Sequence, residues 1–493
     1  MIERGICHRR GVFAGVLCLL LVAGSAIAAD DANMGGLAGK IPASSNAIVA
    51  VDVKAALQSG YAQQWGWTAD GGSKMGTNPF ARLNGVDRCL AAARFNFGTM
   101  DTSWETALMQ RTDPKQALPG MAVDKLAGKA TNRGPSGLLL VDLGDNTIAA
   151  VQDSDRQLAA QWIEQRAAMG KASEYLQQAA AKAGASTPIV VAFDLKDAVS
   201  TAEAMQMIQG DPPEGLGEVS EGDVAELAGL FASIKGITLT IGAEKEPRGE
   251  ATVNFGKDTS KLGANAKSAL LDLLGRQGMA IPDFKNWDFQ TSGDRVVATG
   301  AFSTGGVKRV LRTIRTPMHP APKPAGQVTK ASDPADKSAA SRRYFNAISS
   351  TLDELKPGKS LAETARWLLR DAKEIDSMPI LGVDPELVAW GGNVSATFRD
   401  IAGIQATGQR QIAAQTSISG EPGATYIAPD SNDQAWAESQ TRTNWNNYRK
   451  ERIAAAQATR APITEQCGKI LQDLLKTRND MRAAMTQKYN AEF

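Results

Sequence analysis

Histidine is almost missing from this chain: of 493 residues only His8 and His319 carry an imidazole. His8 lies in the first ten residues and His319 in a Pro-rich stretch. A Ser-His-Asp or Cys-His mechanism therefore has no base to set beside its nucleophile, and zinc sites built on histidine and cysteine lack ligands. Cysteine is nearly as scarce, with Cys7, Cys18, Cys89 and Cys467. Net charge is lacking too: 54 cationic against 53 acidic side chains leave +1, which removes the electrostatic reason to expect a nucleic-acid partner. Beyond the N-terminal leader no apolar run approaches the ~20 residues that a membrane-spanning helix needs. There is no G-x-S-x-G elbow and no dinucleotide fingerprint after a strand. Gly35 to Lys40 loosely resembles a phosphate loop, but Met34 and Ile41 stand where that loop requires Gly and Ser or Thr. The sequence nominates no catalytic, cofactor-binding or metal-binding residue, and no cofactor is expected.

What is present begins with Arg4, Arg9 and Arg10, the apolar run Gly11 to Gly24, and Ser25-Ala26-Ile27-Ala28-Ala29. A basic segment, a short apolar segment and a small-residue site form a secretory signal. Cleavage after Ala28 is expected, placing the protein in the periplasm or outside the cell. Cys18 follows Val16-Leu17 rather than the small residues of a lipid-anchor site, so no lipid anchor is expected. The leader carries three arginines against Glu3, so its loss takes the chain from +1 to −1.

An internal repeat organises the rest. VAVDVKAAL at Val49 to Leu57 returns as VAFDLKDAV at Val191 to Val199, with Val49/Val191, Ala50/Ala192, Asp52/Asp194, Lys54/Lys196 and Ala56/Ala198 identical. The strand patterns that follow keep similar offsets, Cys89 matching Ile237 and Thr147 matching Val296. The expected fold class is α+β: two duplicated antiparallel sheet-plus-helix domains, each β-α-β-β-α-β-β-α, followed by a mainly α-helical C-terminal region. The segments are a signal peptide over 1–28, a flexible Gly-rich lead-in over 29–45, unit 1 over 46–170, unit 2 over 186–315, a Pro/Ala/Lys-rich linker over 316–340 and the helical region over 341–493.

Within unit 1, Gly144-Asp145-Asn146 reads as a hairpin turn. Ser154 to Gln157 is a capping box starting a helix to about Met169, with Leu158, Trp162 and Ile163 on its inner side. In unit 2, helices are expected over Lys196 to Ile208, Val224 to Ile234, Asp258 to Gln277 and Gly306 to Ile314. Beyond the linker, Ser360 to Glu363 caps another helix and Asp384-Pro385 starts a further one. Two long helices, about Asp433 to Ala458 and Ile463 to Tyr489, are expected to end the chain.

The phrases IPASSNAIVAVDV, DRQLAAQWI and ARWLLRDAKEIDSMPILGVDPELVAWGGNVSATFRDI resemble large uncharacterised exported proteins of planctomycete-type bacteria. The resemblance implies secretion and fold; it implies no activity, cofactor or site residue.

Several residue groups have both a plain and a functional reading. Asp52 and Asp194, at the strand ends of the repeat, are the two acids to examine for glycoside hydrolysis, and their simpler role is to cap the backbone that follows. Trp65 and Trp67 form either a sugar-stacking platform or core. The acidic run Asp211, Glu214, Glu218, Glu221, Asp223 and Glu226 lacks EF-hand spacing and reads as a solvated loop rather than a calcium site. Cys89 and Cys467 either pair or are small buried residues. The stripe Ile463, Cys467, Ile470, Leu474, Met481 and Met485 either packs on the chain's own domains or associates with a partner through residues 433–489. The expected function is thus an exported, non-enzymatic binding or structural-interaction protein of the periplasm or cell surface, engaging an envelope protein or glycan. The alternative is a carboxylate-dependent hydrolase acting on an envelope polysaccharide.

Overall fold

The structure, a computed structural model, describes residues 34–493 except 70–77, 81–82, 84, 98–100, 114, 116–117, 119–120, 134–137, 153–154, 166–170, 211, 217–220, 315–333, 354, 356–363, 379 and 419–433. The expected signal peptide, the expected capping boxes at Ser154 and Ser360, and His319 lie outside the described residues.

The architecture is α+β with a helical C-terminal region. Helix α1 (Met34–Ala38) leads into β1 (Ala47–Asp52), α2 (Val53–Gln58) and α3 (Gly60–Trp65); β2 (Val86–Asn96), β3 (Asp101–Arg111), β4 (Met121–Leu126), β5 (Lys129–Arg133), β6 (Leu139–Gly144) and β7 (Thr147–Val151) follow. Helices α4 (Arg156–Gln165) and α5 (Glu174–Ala180) then connect to β8 (Ile189–Asp194). The second unit continues with α6 (Thr201–Gly210), α7 (Glu221–Phe231), β9 (Ile234–Ile241), β10 (Arg248–Phe255), α8 (Ala266–Arg276), β11 (Asp288–Ser292), β12 (Arg295–Ala301) and α9 (Thr304–Leu311). Last come α10 (Pro334–Asp353), α11 (Ala365–Asp376), α12 (Pro385–Ile418) and α13 (Gln434–Tyr489).

Among the described residues, twelve strands form one antiparallel sheet in the order β11-β12-β10-β9-β8-β1-β2-β3-β7-β6-β5-β4. The two units thus share a sheet rather than owning one each. Their opening strands are the joint: β1 and β8 pair with Val49 opposite Val191, Ala47 opposite Phe193 and Val51 opposite Ile189. Val49 and Val191 occupy the same position of the repeat, so a pseudo-twofold axis passes between them. On either side of it the strands run outward in matching order, β1-β2-β3-β7-β6 and β8-β9-β10-β12-β11. Pairing satisfies the backbone of two strands that are apolar on both faces and would otherwise be exposed edges.

Alternation along the strands divides the core. Ala47, Val49 and Val51 face one layer with Tyr61, Trp65, Trp67, Phe80, Trp287 and Phe302, whereas Ile48 and Ala50 face another with α1, α4 and α5. A further layer packs α6, α7 and α8 on Val253, Phe255 and Val296. The helical region has its own core, in which Phe345, Leu368, Leu387, Trp390, Phe398, Leu471 and the C-terminal Phe493 meet. It is also fastened to the sheet. Trp367 of α11 enters the first core layer and its indole donates to the Ala280 carbonyl at 3.2 Å, while Arg312 bridges Asp371 at 3.0 Å and Glu374 at 3.4 Å.

Several expectations need correction. The lead-in over 29–45 is not loose in its described part, because Met34, Leu37, Ala38 and Ile41 are all buried against α5 and the sheet. In unit 1 the expected second helix is the hairpin β4/β5, closed by Ala127 and Gly128 at φ 49° and 73°, a turn that short alternating strands close well. Leu158 is exposed, whereas Trp162 is buried as expected and Ile163 packs on the core, with Ala159 taking the inner place that Leu158 lacks. The helix expected from Lys196 starts at Thr201, where Ser200 and Glu203 form a capping box: the Glu203 N–H donates to Ser200 Oγ at 3.1 Å and the Ser200 N–H to Glu203 Oε2 at 2.8 Å. The helix expected from Asp258 begins as a 3-10 turn at Gly263, whose φ is +47°. The linker over 316–340 ends early, since α10 starts at Pro334, a proline suited to a first helical turn with Asp336 beside it. The last two expected helices are one, α13, with Pro462 inside it. α13 runs through it for 56 residues, and the packing of Ile463, Cys467 and Leu471 into the bundle core offsets the ~3 kcal/mol an interior proline costs.

Candidate functional site

Asp52 ends β1 and accepts from the Ala55 N–H at 2.9 Å, capping α2. Asp194 ends β8 and accepts from the Lys196 N–H at 3.1 Å, holding a turn. Each lies three residues from the pseudo-axis, in opposite directions, so some six residues of strand separate them, about 20 Å. Paired glycosidase carboxylates sit roughly 5–10 Å apart. These two acids do not converge.

Trp65 and Trp67 are 6% and 2% exposed, at 4.8 Å edge-to-face from each other and in contact with Tyr61. They are core, and no stacking platform is open to a sugar. Burial of this layer pushes the Tyr61 hydroxyl up to about 12. Within the described part of the acidic run, the Lys261 ammonium lies between Asp223 at 3.1 Å and Glu226 at 3.0 Å, occupying the position a cation would take. Cys89 and Cys467 are free and buried in different cores, and burial drives the Cys89 thiol up to about 12 and the Cys467 thiol up. The tail stripe is internal: Cys467, Leu474 and Met485 are buried in the helical core, with Ile463, Ile470 and Met481 packed on it. No described helix is long and apolar enough to cross a membrane.

The displaced carboxylates bind structure together. At Asp376, burial pushes the acid up, but Ser395 and the guanidinium of Arg399 outweigh it and hold it low. Asp384 behaves alike: burial raises it, while Lys488 Nζ at 2.9 Å, the Tyr489 hydroxyl at 2.8 Å and the Glu386 N–H at 3.0 Å together keep it below the usual aspartate range.

A concave site does exist, at a place that sequence reading did not nominate. One face of α8 stands opposite the α12/α13 pair across an open cleft of about 510 Å³. The α8 wall presents Lys267, Ser268, Leu271, Asp272, Gly275 and Arg276, spaced three and four apart as one helix face requires. Across from it stand Gln405, Gly408 and Ile412 of α12 with Arg460, Ile463 and Thr464 of α13. Gly408 lets these two helices close up, since a Cβ there would run into Ile463 Cδ1. The cleft's large apolar lining residues are Leu271, Ile412 and Ile463, of which Ile412 is 3% exposed. Polar groups line the walls, four of them cationic (Lys267, Arg276, Lys285, Arg460) against Glu214 and Asp272.

Asp272 is already engaged. It pairs with Arg276 and accepts the Glu214 N–H at 3.0 Å, and Arg276 also donates to the Pro212 carbonyl at 2.8 Å. Lys267 differs. Its ammonium donates to the Trp287 carbonyl at 2.8 Å and lies 5.8 Å from the Phe289 ring centre, and neither partner carries a charge. The residues of this cleft come from positions 214 to 464, and no local motif links them. The only signal was the amphipathic face of α8, which reads equally well as a solvated surface.

Comparison with protein-family models, with curated proteins and with solved structures finds no match for this chain.

Proposed function

We propose that the protein is an exported, non-enzymatic binding protein whose ligand occupies the cleft between α8 and the α12/α13 pair. The observation that carries this reading is the cleft itself: its volume of about 510 Å³ falls in the ~300–1,000 Å³ range of small-molecule sites, and such sites favour the seams between structural layers. The lining sets the apolar Leu271, Ile412 and Ile463 among polar and charged side chains, so a ligand there meets both kinds of surface. The tail-docking route is weaker, because its apolar stripe is spent on the chain's own core. The leader sequence and the resemblance to exported proteins support an envelope location. Nothing in the positions of Asp52 and Asp194 favours the hydrolase alternative.

The test uses immobilised chain from Ala29 onward, exposed to extract of its own cell envelope, with small molecules and glycans in the eluate identified by mass spectrometry. A compound enriched by the native chain and lost with Thr464→Trp, which fills the cleft, is expected. No enrichment, or equal enrichment by the variant, refutes the reading.

A further inference from the structure

Resting on the cleft being a binding site, we propose that it takes an amphipathic organic anion: an apolar body against Leu271, Ile412 and Ile463, and a carboxylate, sulfonate or phosphate facing Lys267. Three observations converge on this class. Of the charged lining residues Arg276 and Asp272 cancel as a pair, which leaves Lys267, Lys285 and Arg460 on the lining with Glu214. Lys267 is half-buried on α8 and held in place by a carbonyl and an aromatic ring, so its positive charge is fixed with no acid among its described partners. A charge kept partly out of water without a counter-ion is one that a ligand anion satisfies. The apolar part of the lining, Leu271, Ile412 and Ile463, offers an organic body a surface that a small inorganic ion would not use. An inorganic anion would leave those apolar side chains wet, and a neutral apolar ligand would leave Lys267 without a counter-ion.

The experiment compares two fluorescent probes sharing one aromatic skeleton. 8-Anilinonaphthalene-1-sulfonate carries the anion and N-phenyl-1-naphthylamine lacks it. Titrated into the chain from Ala29 onward, the sulfonate is expected to bind saturably at one site, at least tenfold tighter than the neutral probe, with the difference shrinking in high salt. Lys267→Met is expected to weaken the sulfonate at least fivefold and leave the neutral probe unchanged. Arg460→Gln, on the opposite wall, gives the same direction of effect should Lys267→Met fail to fold by circular dichroism. Equal affinity for both probes, with both displaced by Thr464→Trp, overturns the anion class and leaves the cleft a binding site. Binding that neither saturates nor responds to Thr464→Trp overturns both.

Discussion

Trp287 lies across a pair of glycines, and this makes Gly300 a sharp test of the packing at the end of the sheet. Gly249 of β10 and Gly300 of β12 stand directly opposite each other. The indole covers both: a Cβ on Gly300 would sit 2.5 Å from Trp287 Cγ and closer still to Cδ1, and one on Gly249 would sit 2.5 Å from Cη2. An aromatic ring laid over strand glycines repairs the packing that they forfeit. The ring has nowhere to go. Phe284 and Phe302 hold it edge-on at 4.7 and 4.9 Å, its Nε1 donates to the Ala301 carbonyl at 3.0 Å, and it is 1% exposed.

Gly300→Ala therefore meets two opposing effects. Replacing glycine inside a strand favours folding by about 0.5–1 kcal/mol. Overpacking against a fixed ring costs about 1–3 kcal/mol, and losing the indole hydrogen bond costs about 0.5–1.5 kcal/mol more. The net expectation is destabilisation by roughly 1–3 kcal/mol, read as a lower urea midpoint at unchanged slope. A double-mutant cycle isolates the cause. In a Trp287→Leu background the same substitution is expected to be neutral or stabilising. A midpoint unchanged or raised by Gly300→Ala alone, or an equal penalty in both backgrounds, refutes the reasoning.

Two further expectations concern buried thiols and the C-terminal clasp. Cys89 and Cys467 should resist Ellman's reagent in the native protein at pH 8 and both react in urea; rapid native reaction of either would contradict their burial. Because the folded pKa of Asp384 is depressed relative to an unfolded value of about 3.9, its stabilisation is complete above about pH 5 and fades as pH falls below about 4. Asp384→Asn should cost roughly 1 kcal/mol at pH 7 and flatten thermal stability between pH 5 and 3; parallel curves for both proteins would refute the role.

What the sequence made legible was whatever depends on neighbours in the chain. The hairpin at Gly144 to Asn146 and the cap at Asp384 are local chemistry, and both occur, with Asp145 and Asn146 at φ 50° and 59°. The repeated phrase announced a duplication, but no local signal says that its two copies lie side by side, because pairing is a contact across 142 residues. Short elements whose burial depends on distant partners escaped: α1 reads as a polar Gly-rich tail until Met34 and Leu37 meet α5, and β4 and β5 have little apolar alternation. The last helix reads as two because nothing local tells of the core that holds Ile463 and Cys467 just beyond Pro462. The cleft was invisible for the same reason. Lys267 became notable only once a carbonyl and a ring, rather than an acid, proved to be its partners.

The pseudo-axis between Val49 and Val191 bears on how such a chain came to exist. At that point each strand meets its own likeness, valine against valine, with the positions on either side exchanged in mirror order. A chain holding only the first unit would present β1 as a free edge whose sequence already matches the partner it needs, namely another copy of itself in antiparallel register about Val49. The internal seam is in this sense a homodimer interface written into one polypeptide. The covalent connection through α4 and α5 then replaces mass action: the joint no longer depends on concentration.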